Sequence, residues 1–507
     1  MNTKTKNILA GVLAIVPSLS HADTPETINQ PVPFSHIYDT VQQHPALYDS
    51  DFVFFLENQI TDNKYTLGNL AQTCINYTQH NNAVTHEICT EFIDNIIGST
   101  ILTDLNKTFV ATTTSDTDKF EFKITAAGNF TVDCGDESEV QKIKKDTIDA
   151  QTITCDYSTP GEYKIIIGGR ATDYATNEAA IIIPLIYSDQ LARIEGSLGA
   201  IFPTLGNKQP IFADTFSGCS KLSGPIPANL FAGIKGAPAE GMFWNTFYAC
   251  SGLTGPIPEN LFAGIKGAPA EGMFWGTFAG CSGLTGSIPE NLFAGIKGAP
   301  AENMFAITFY RCSKLSGSIP ENLFVGIDGA PEYSMFNGTF FGCSNLTGSI
   351  PENLFAGIKG APAENMFNDT FSDCSKLSGP IPANLFAGIK GAPAENMFND
   401  TFSGCSGLTG SIPANLFAGI KGAPEYGMFG GTFYGCSGLT GPIPENLFAG
   451  IEDVLKSSMF MTFKGCNGLT GTVGPDFFGS ILSEPIESWE WEAELIFGNN
   501  NGITFKQ

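Results

Sequence analysis

A repeat of 31 residues is the feature of this 507-residue chain that most limits its possible folds. Eight cysteines recur at this interval from Cys219 to Cys436, and Cys466 follows after 30 residues. One unit, Met273 to Asn303, reads MFWGTFAGCSGLTGSIPENLFAGIKGAPAEN. A unit of this length cannot bury its apolar face alone, so we expect neighbouring units to stack and share one continuous core.

The buried-type residues of each unit follow the spacing of one helical face. Counted from the cysteine, they lie at −8, −7, −4, −3 and 0, as Met273, Phe274, Thr277, Phe278 and Cys281 do, which predicts a helix. The short extended run that follows predicts one strand of a parallel sheet. The sequence therefore predicts an α/β solenoid over residues 188–475, closed by a C-terminal cap over 476–507.

The residues TFAGCSGLTGSIP resemble the leucine-rich repeats of BspA-like bacterial surface proteins. The resemblance covers roughly Tyr187 to Pro475, although the inserted ENLFAGIKGAPAE lengthens the usual unit. It implies a leucine-rich-repeat solenoid on a secreted or surface-exposed adhesion protein that binds an extracellular protein or glycan. A structural spacer without a specific ligand and a glycan-active enzyme are the alternatives.

The N-terminal 22 residues have the organisation of a secretory signal peptide. Lys4 and Lys6 precede an apolar stretch from Ile8 to Val16, and small residues at Ser20 and Ala22 suit a cleavage site. We therefore expect export, with no membrane insertion once the signal is removed. The formal net charge of −25 disfavours nucleic acid as a partner.

Residues 23–106 contain two apolar-periodic runs that predict a small helical region. Cys74 and Cys89 lie one on each run, with His80 and His86 between them. In an exported protein this arrangement favours a Cys74–Cys89 disulfide. A zinc site made by the two cysteines and two histidines is the alternative.

Residues 107–187 contain short strand runs separated by turn residues, which predict an all-β sandwich. The stretch FTVDCGDES…TITCDYSTPGEYKIIIGG resembles PKD-like domains of bacterial surface proteins. That resemblance implies that Cys134 and Cys155 are neighbours in the sandwich and form a disulfide. Two unpaired buried thiols are the alternative.

The repeats lack the residues that most enzymatic mechanisms require. All five histidines precede the repeats, which excludes histidine-based catalysis there. The sequence contains no phosphate-binding loop, HExxH motif or EF-hand loop, so we expect no enzyme activity, no cofactor and no metal. The recurring Glu259, Glu290, Glu321, Glu352 and Glu445 form a lattice rather than one asymmetric acid/base pair.

The repeat cysteines lie on the apolar side of each unit. In-register stacking would bring neighbouring cysteines close enough for disulfides. Their odd number and common orientation favour buried free thiols instead.

Variation among the units gathers at positions −6, −5, −2, −1 and +2, which predicts the exposed face of the repeat helix. The early units place large rings there, which makes this face the candidate binding site. Later units carry Asn and Ser, so the aromatic patch is predicted at one end only. Sequence drift on a solvent-facing surface is the alternative. The candidate binding residues are Trp244, Tyr248, Trp275, Tyr310 and Phe341.

Overall fold

The computed structural model describes residues 105–184, 189–452, 458–473, 494–498 and 502–505. The predicted signal peptide lies outside these residues, as does nearly all of the predicted helical region. Cys74 and Cys89, for which a disulfide was predicted, therefore also lie outside the described residues.

Residues from Phe109 to Gly196 form two antiparallel sheets, in agreement with the all-β arrangement expected for this stretch. One sheet has the order β4-β3-β6-β1-β8 and the other the order β5-β2-β7. Phe120, Phe122 and Ile124 alternate with polar neighbours along β2 and are fully buried, because successive side chains of a strand point to opposite faces. The strands are β1 (Phe109–Thr113), β2 (Thr117–Ile124), β3 (Ala127–Asp133), β4 (Gln141–Lys145), β5 (Gln151–Gly161), β6 (Lys164–Asp173), β7 (Ile181–Ile182) and β8 (Leu191–Gly196).

A disulfide between Cys134 and Cys155 links the two sheets. Cys134 directly follows β3 in the first sheet, whereas Cys155 lies on β5 in the second. The two Cα atoms are 5.6 Å apart, within the range that a disulfide spans. The Tyr157 hydroxyl donates a hydrogen bond of 3.0 Å to the Cys134 carbonyl oxygen and packs beside the bridge.

The prediction of an α/β leucine-rich-repeat solenoid is wrong. Within the described residues, helix is confined to α1 (Leu198–Ile201), before the cysteine-bearing units, and to one turn over 494–497 (α2), after them. The residues from −9 to 0 of each unit, here called the turn segment, form consecutive four-residue turns. A continuous parallel sheet through the repeats is absent from the described residues as well, since the larger sheets are antiparallel and belong to the sandwich.

Backbone hydrogen bonds show why the turn segment is not a helix. The Thr246 amide closes a turn on the Phe243 carbonyl oxygen at 3.3 Å. The next amide, that of Phe247, donates instead to the Thr277 carbonyl oxygen of the following unit at 2.9 Å. In an α-helix every such amide would donate four residues back. Alternate amides of the turn segment therefore bind neighbouring units to each other.

The turns repeat every four residues because one residue in four adopts a left-handed backbone. In one unit these residues are Gly272, Gly276 and Gly280, with φ angles of +54°, +62° and +76°. Equivalent positions mostly carry Gly, Asn or Asp, the residues that tolerate this conformation best. Over nine residues, a period of four and one of 3.6 produce the same apolar pattern, which explains the incorrect helix prediction.

Outside the turn segment, consecutive units touch through two isolated parallel bridges. Gly224 pairs with Leu253, and Gly236 pairs with Ile265; both pairings recur along the stack. Regular strands appear at the C-terminal end, where a small parallel sheet has the order β11-β10-β9. These strands are β9 (Gly441–Pro442), β10 (Leu469–Val473) and β11 (Ile503–Phe505).

Phenylalanine columns form the centre of the repeat stack. Phe243 stacks on Phe274 of the next unit with ring centroids 5.6 Å apart, and Phe262 packs obliquely against Phe243 at 4.6 Å. From Thr246 onwards, each threonine at −4 is buried and hydrogen-bonds a carbonyl oxygen of the preceding unit, as Thr246 Oγ1 does with Phe212 O at 2.9 Å. The buried threonine hydroxyls from Thr246 to Thr462 therefore each have a partner in an adjacent unit.

Both ends of the stack are covered. At the N-terminal end, β8 pairs with β1 on one side, and its Ala192 carbonyl oxygen accepts the Ser223 amide at 2.8 Å on the other. β8, which the sequence assigned to the solenoid over residues 188–475, thus belongs to the sandwich sheet and also contacts the first unit. At the C-terminal end, the Phe463 amide donates to the Ile496 carbonyl oxygen at 3.0 Å. These contacts satisfy backbone groups that would otherwise template further stacking.

Candidate binding face of the repeat stack

The outward-pointing side chains of the turn segments form a surface that we call the turn face. In one unit Met242, Phe243, Thr246 and Phe247 are fully buried, whereas Tyr248 exposes 41% of its surface. The four-residue turn produces this alternation, since two residues of each turn point inward and two outward. Positions −6 and −2 carry the large outward side chains, as the sequence predicts, although on turns rather than on a helix.

Trp244 and Trp275 form an indole pair on adjacent units. Their ring centroids lie 4.5 Å apart with planes inclined at 40°, and both side chains are partly buried. Trp244 lies across Gly272, where an added Cβ would come within 2.8 Å of its Cε3 atom. The close fit holds the two rings in one geometry while leaving part of their surface open to solvent.

Two of the remaining predicted residues, Tyr310 and Phe341, form a separate cluster. Tyr310 and Phe341 stack with ring centroids 4.6 Å apart and planes inclined at 14°. The Arg311 guanidinium lies 5.2 Å from the Tyr310 centroid and 5.8 Å from that of Phe341, a cation–π arrangement. In the unit between Tyr248 and Tyr310, the −2 position is the small, buried Ala279. The structure therefore divides the predicted patch into two clusters.

The prediction of aromatic rings at one end only is wrong. Tyr434 and Phe460, on the late units, expose 41% and 44% of their surfaces. They occupy positions −2 and −6, so the column comparison that singled out Trp244 could have found them. Tyr333 and Tyr426 are also exposed, but they lie outside the turn segments.

Three carboxylates lie at positions −5 and −1 of the middle units, next to the Asn and Ser residues that stand at −6 and −2 there. Asp369 and Asp373 lie in one unit, and Asp400 occupies the position of Asp369 in the next. Burial raises the pKa of Asp369 to about 7, with further increases from the charges of Asp400 and Asp373. Burial also raises the pKa of Asp400. The described residues contain no group of three or more His, Cys, Asp or Glu side chains suited to a metal ion.

The repeated glutamates make structural contacts between units. Asn384 Nδ2 donates to Glu352 Oε1 at 2.9 Å, and Asn322 makes the corresponding contact with Glu290 at 3.5 Å. The ladder of amide and carboxylate groups along the exposed surface is the lattice that the sequence predicts.

All nine repeat cysteines are free and buried, as predicted. Each of those from Cys250 to Cys466 donates its thiol hydrogen to a phenylalanine carbonyl oxygen of the preceding unit; the Cys281 Sγ to Phe247 O distance is 3.0 Å. Burial raises the pKa of Cys343 to about 12. Because the thiolate is the reactive form, this raised pKa favours a packing role for Cys343.

Comparisons with known protein families, curated proteins and solved structures find no match for this chain. The BspA-like and PKD-like resemblances therefore remain expectations from the sequence. Neither of the described helices is long enough to cross a membrane.

Proposed function

We propose that this chain is an exported or surface-exposed binding protein that recognises an extracellular protein or glycan through its turn face. The observation that carries the proposal is the fixed Trp244–Trp275 pair on a tightly hydrogen-bonded stack. The proposal of export depends on the signal-like N-terminus.

A rigid pair of indoles suits recognition for an energetic reason. Binding costs less conformational entropy when the contacting side chains are already ordered. Trp and Tyr supply large apolar surfaces with few rotatable bonds and are common binding hot spots. Both indoles are only partly buried, so part of each ring can contact the apolar face of a sugar or a peptide side chain.

A glycan-active enzyme is the second candidate, and one observation favours it. The pKa of about 7 at Asp369 would allow this carboxyl to hold and donate a proton near neutral pH. However, burial raises the pKa of Asp400 as well, so the two carboxyls are shifted in the same direction, whereas an acid/base pair needs its pKa values pushed apart. A structural spacer without a ligand remains the third candidate.

The test is a screen of the purified protein against glycans and extracellular-matrix proteins, followed by aromatic substitutions. Trp244→Ala with Trp275→Ala should weaken binding at least tenfold, about 1.4 kcal/mol. The matched control, Tyr333→Ala with Tyr426→Ala, removes two exposed rings outside the turn face and should leave affinity unchanged.

Two results would contradict the proposal. Full affinity of the Trp variant with an unchanged circular dichroism spectrum would remove the turn face as the binding site. Hydrolysis of a screened glycan that disappears in Asp369→Asn would support the enzyme instead.

A further inference from the structure

Each of the first eight units places one exposed side chain directly after a buried isoleucine, 16 residues beyond its cysteine. In six units this residue is lysine, and all six are exposed. The equivalent residue is Asp328 in one unit between the lysines, and Glu452 in the unit after the last lysine. The lysine row consists of Lys235, Lys266, Lys297, Lys359, Lys390 and Lys421.

The stems of the row share one orientation. Lys297 Cγ lies 2.9 Å from the place where a Cβ on Gly326 of the next unit would stand, and Lys390 Cγ lies 3.0 Å from that on Gly419. The Lys297 amide also donates to the Gly267 carbonyl oxygen of the preceding unit at 2.7 Å. The side chains of the five lysines after Lys235 therefore lie in the same direction along the stack, and each passes over a glycine of the next unit.

The row also has a short spacing. Lys359 Nζ lies 3.6 Å from Asp328 Oδ1 of the preceding unit, so neighbouring members of the row reach each other. Lys235, Lys266 and Lys297 occupy equivalent positions with no carboxylate among them. Within the described part of the chain, Lys359 is the lysine of the row that forms an ion pair, and its partner is Asp328. Adjacent like charges of this kind are destabilising by themselves.

We propose that the lysine row binds an acidic polysaccharide that carries one carboxylate on each sugar. Stacked units recur at about 4.7–4.9 Å, and a linear polyanion with a similar charge interval would neutralise one lysine per unit. The Asp328–Lys359 pair shows that a carboxylate at this interval meets the ammonium group. In a chain with a net charge of −25, the row concentrates six of the 26 basic residues on one line. The site is separate from the turn face.

The experiment measures binding of the full chain to polygalacturonate, with dextran as the neutral polymer. Replacing Lys235, Lys266 and Lys297 together with Gln should weaken binding at least tenfold. It should also reduce the slope of log affinity against log salt by about 2, roughly 0.7 for each lysine removed. The matched control replaces Lys221, Lys314 and Lys376 with Gln, which changes the net charge equally at exposed positions outside the row.

A gain-of-function variant makes the test independent of folding losses. Asp328→Lys joins the two halves of the row into seven consecutive lysines and should strengthen polygalacturonate binding several-fold. Equal losses in the two triple variants, or unchanged binding in Asp328→Lys with an unchanged circular dichroism spectrum, would overturn the proposal. Absence of binding at low salt would also overturn it. Tighter binding of a single-stranded oligonucleotide than of polygalacturonate would assign the row to a phosphate polymer instead.

Discussion

Asp369 makes the stability of the repeat stack dependent on pH. Burial raises its pKa in the folded protein from the usual 3.8 to about 7. Below about pH 4 both the folded and the unfolded chains are protonated at this residue. Between about pH 4 and pH 7 the unfolded chain loses the proton while the folded chain keeps it. The folded protein is therefore destabilised as the pH rises through this range.

The full shift of about 3 pKa units corresponds to about 4 kcal/mol above pH 7, at 1.36 kcal/mol per unit. The side chain is not completely buried, so solvent screening reduces the expected effect to about 1–3 kcal/mol. Asp369→Asn removes the titrating group, and asparagine tolerates the φ angle of +55° at this position. The variant should therefore be more stable than the wild type at pH 8 and nearly equal to it at pH 4.

Urea unfolding of both proteins at pH 4, 6 and 8 measures this difference. Asp118→Asn, which replaces an exposed carboxylate of the sandwich, is the control for the loss of one charge. A stability difference between Asp369→Asn and the wild type that stays constant from pH 4 to pH 8 would refute the reasoning.

Three further predictions concern packing. Gly272→Ala should lower the free energy of unfolding by about 1–3 kcal/mol, because it combines a φ of +54° with a 2.8 Å approach to Trp244. Gly206→Ala, at φ +63° with open space around it, is the control that measures the backbone cost alone. Equal losses of stability in the two variants would exclude a steric contribution from Trp244. Mass spectrometry of unreduced protein should show Cys134 linked to Cys155, with the repeat thiols alkylated only after unfolding; rapid alkylation of the native protein would contradict their burial. Deleting residues 273–303 should leave a folded chain, whereas deleting half of that unit should not, because contacts join neighbouring units. Equal circular dichroism melting curves for the two deletions would contradict this prediction.

Several features were determined by the sequence itself. The 31-residue interval required stacking, because no single unit can bury Met273, Phe274 and Phe278 alone. Identical side chains at identical positions then had to form columns, and the Phe243–Phe274 stack is one of them. The strands of the sandwich could also be predicted from the sequence, because apolar and polar residues alternate along β2 with the period of two that is typical of a strand.

Only the tertiary structure decided that the turn segment is a series of turns. The apolar positions fit both structures, and the choice depends on where the Phe247 amide donates, which is a contact with the next unit at 2.9 Å. The Gly, Asn and Asp residues at every fourth position carried a signal for left-handed backbone. That signal becomes decisive only when stacking supplies partners for the amides that the turns leave free. The Arg311 contact with Phe341 and the raised pKa of Asp369 have the same origin, because each depends on residues of adjacent units that only stacking brings together.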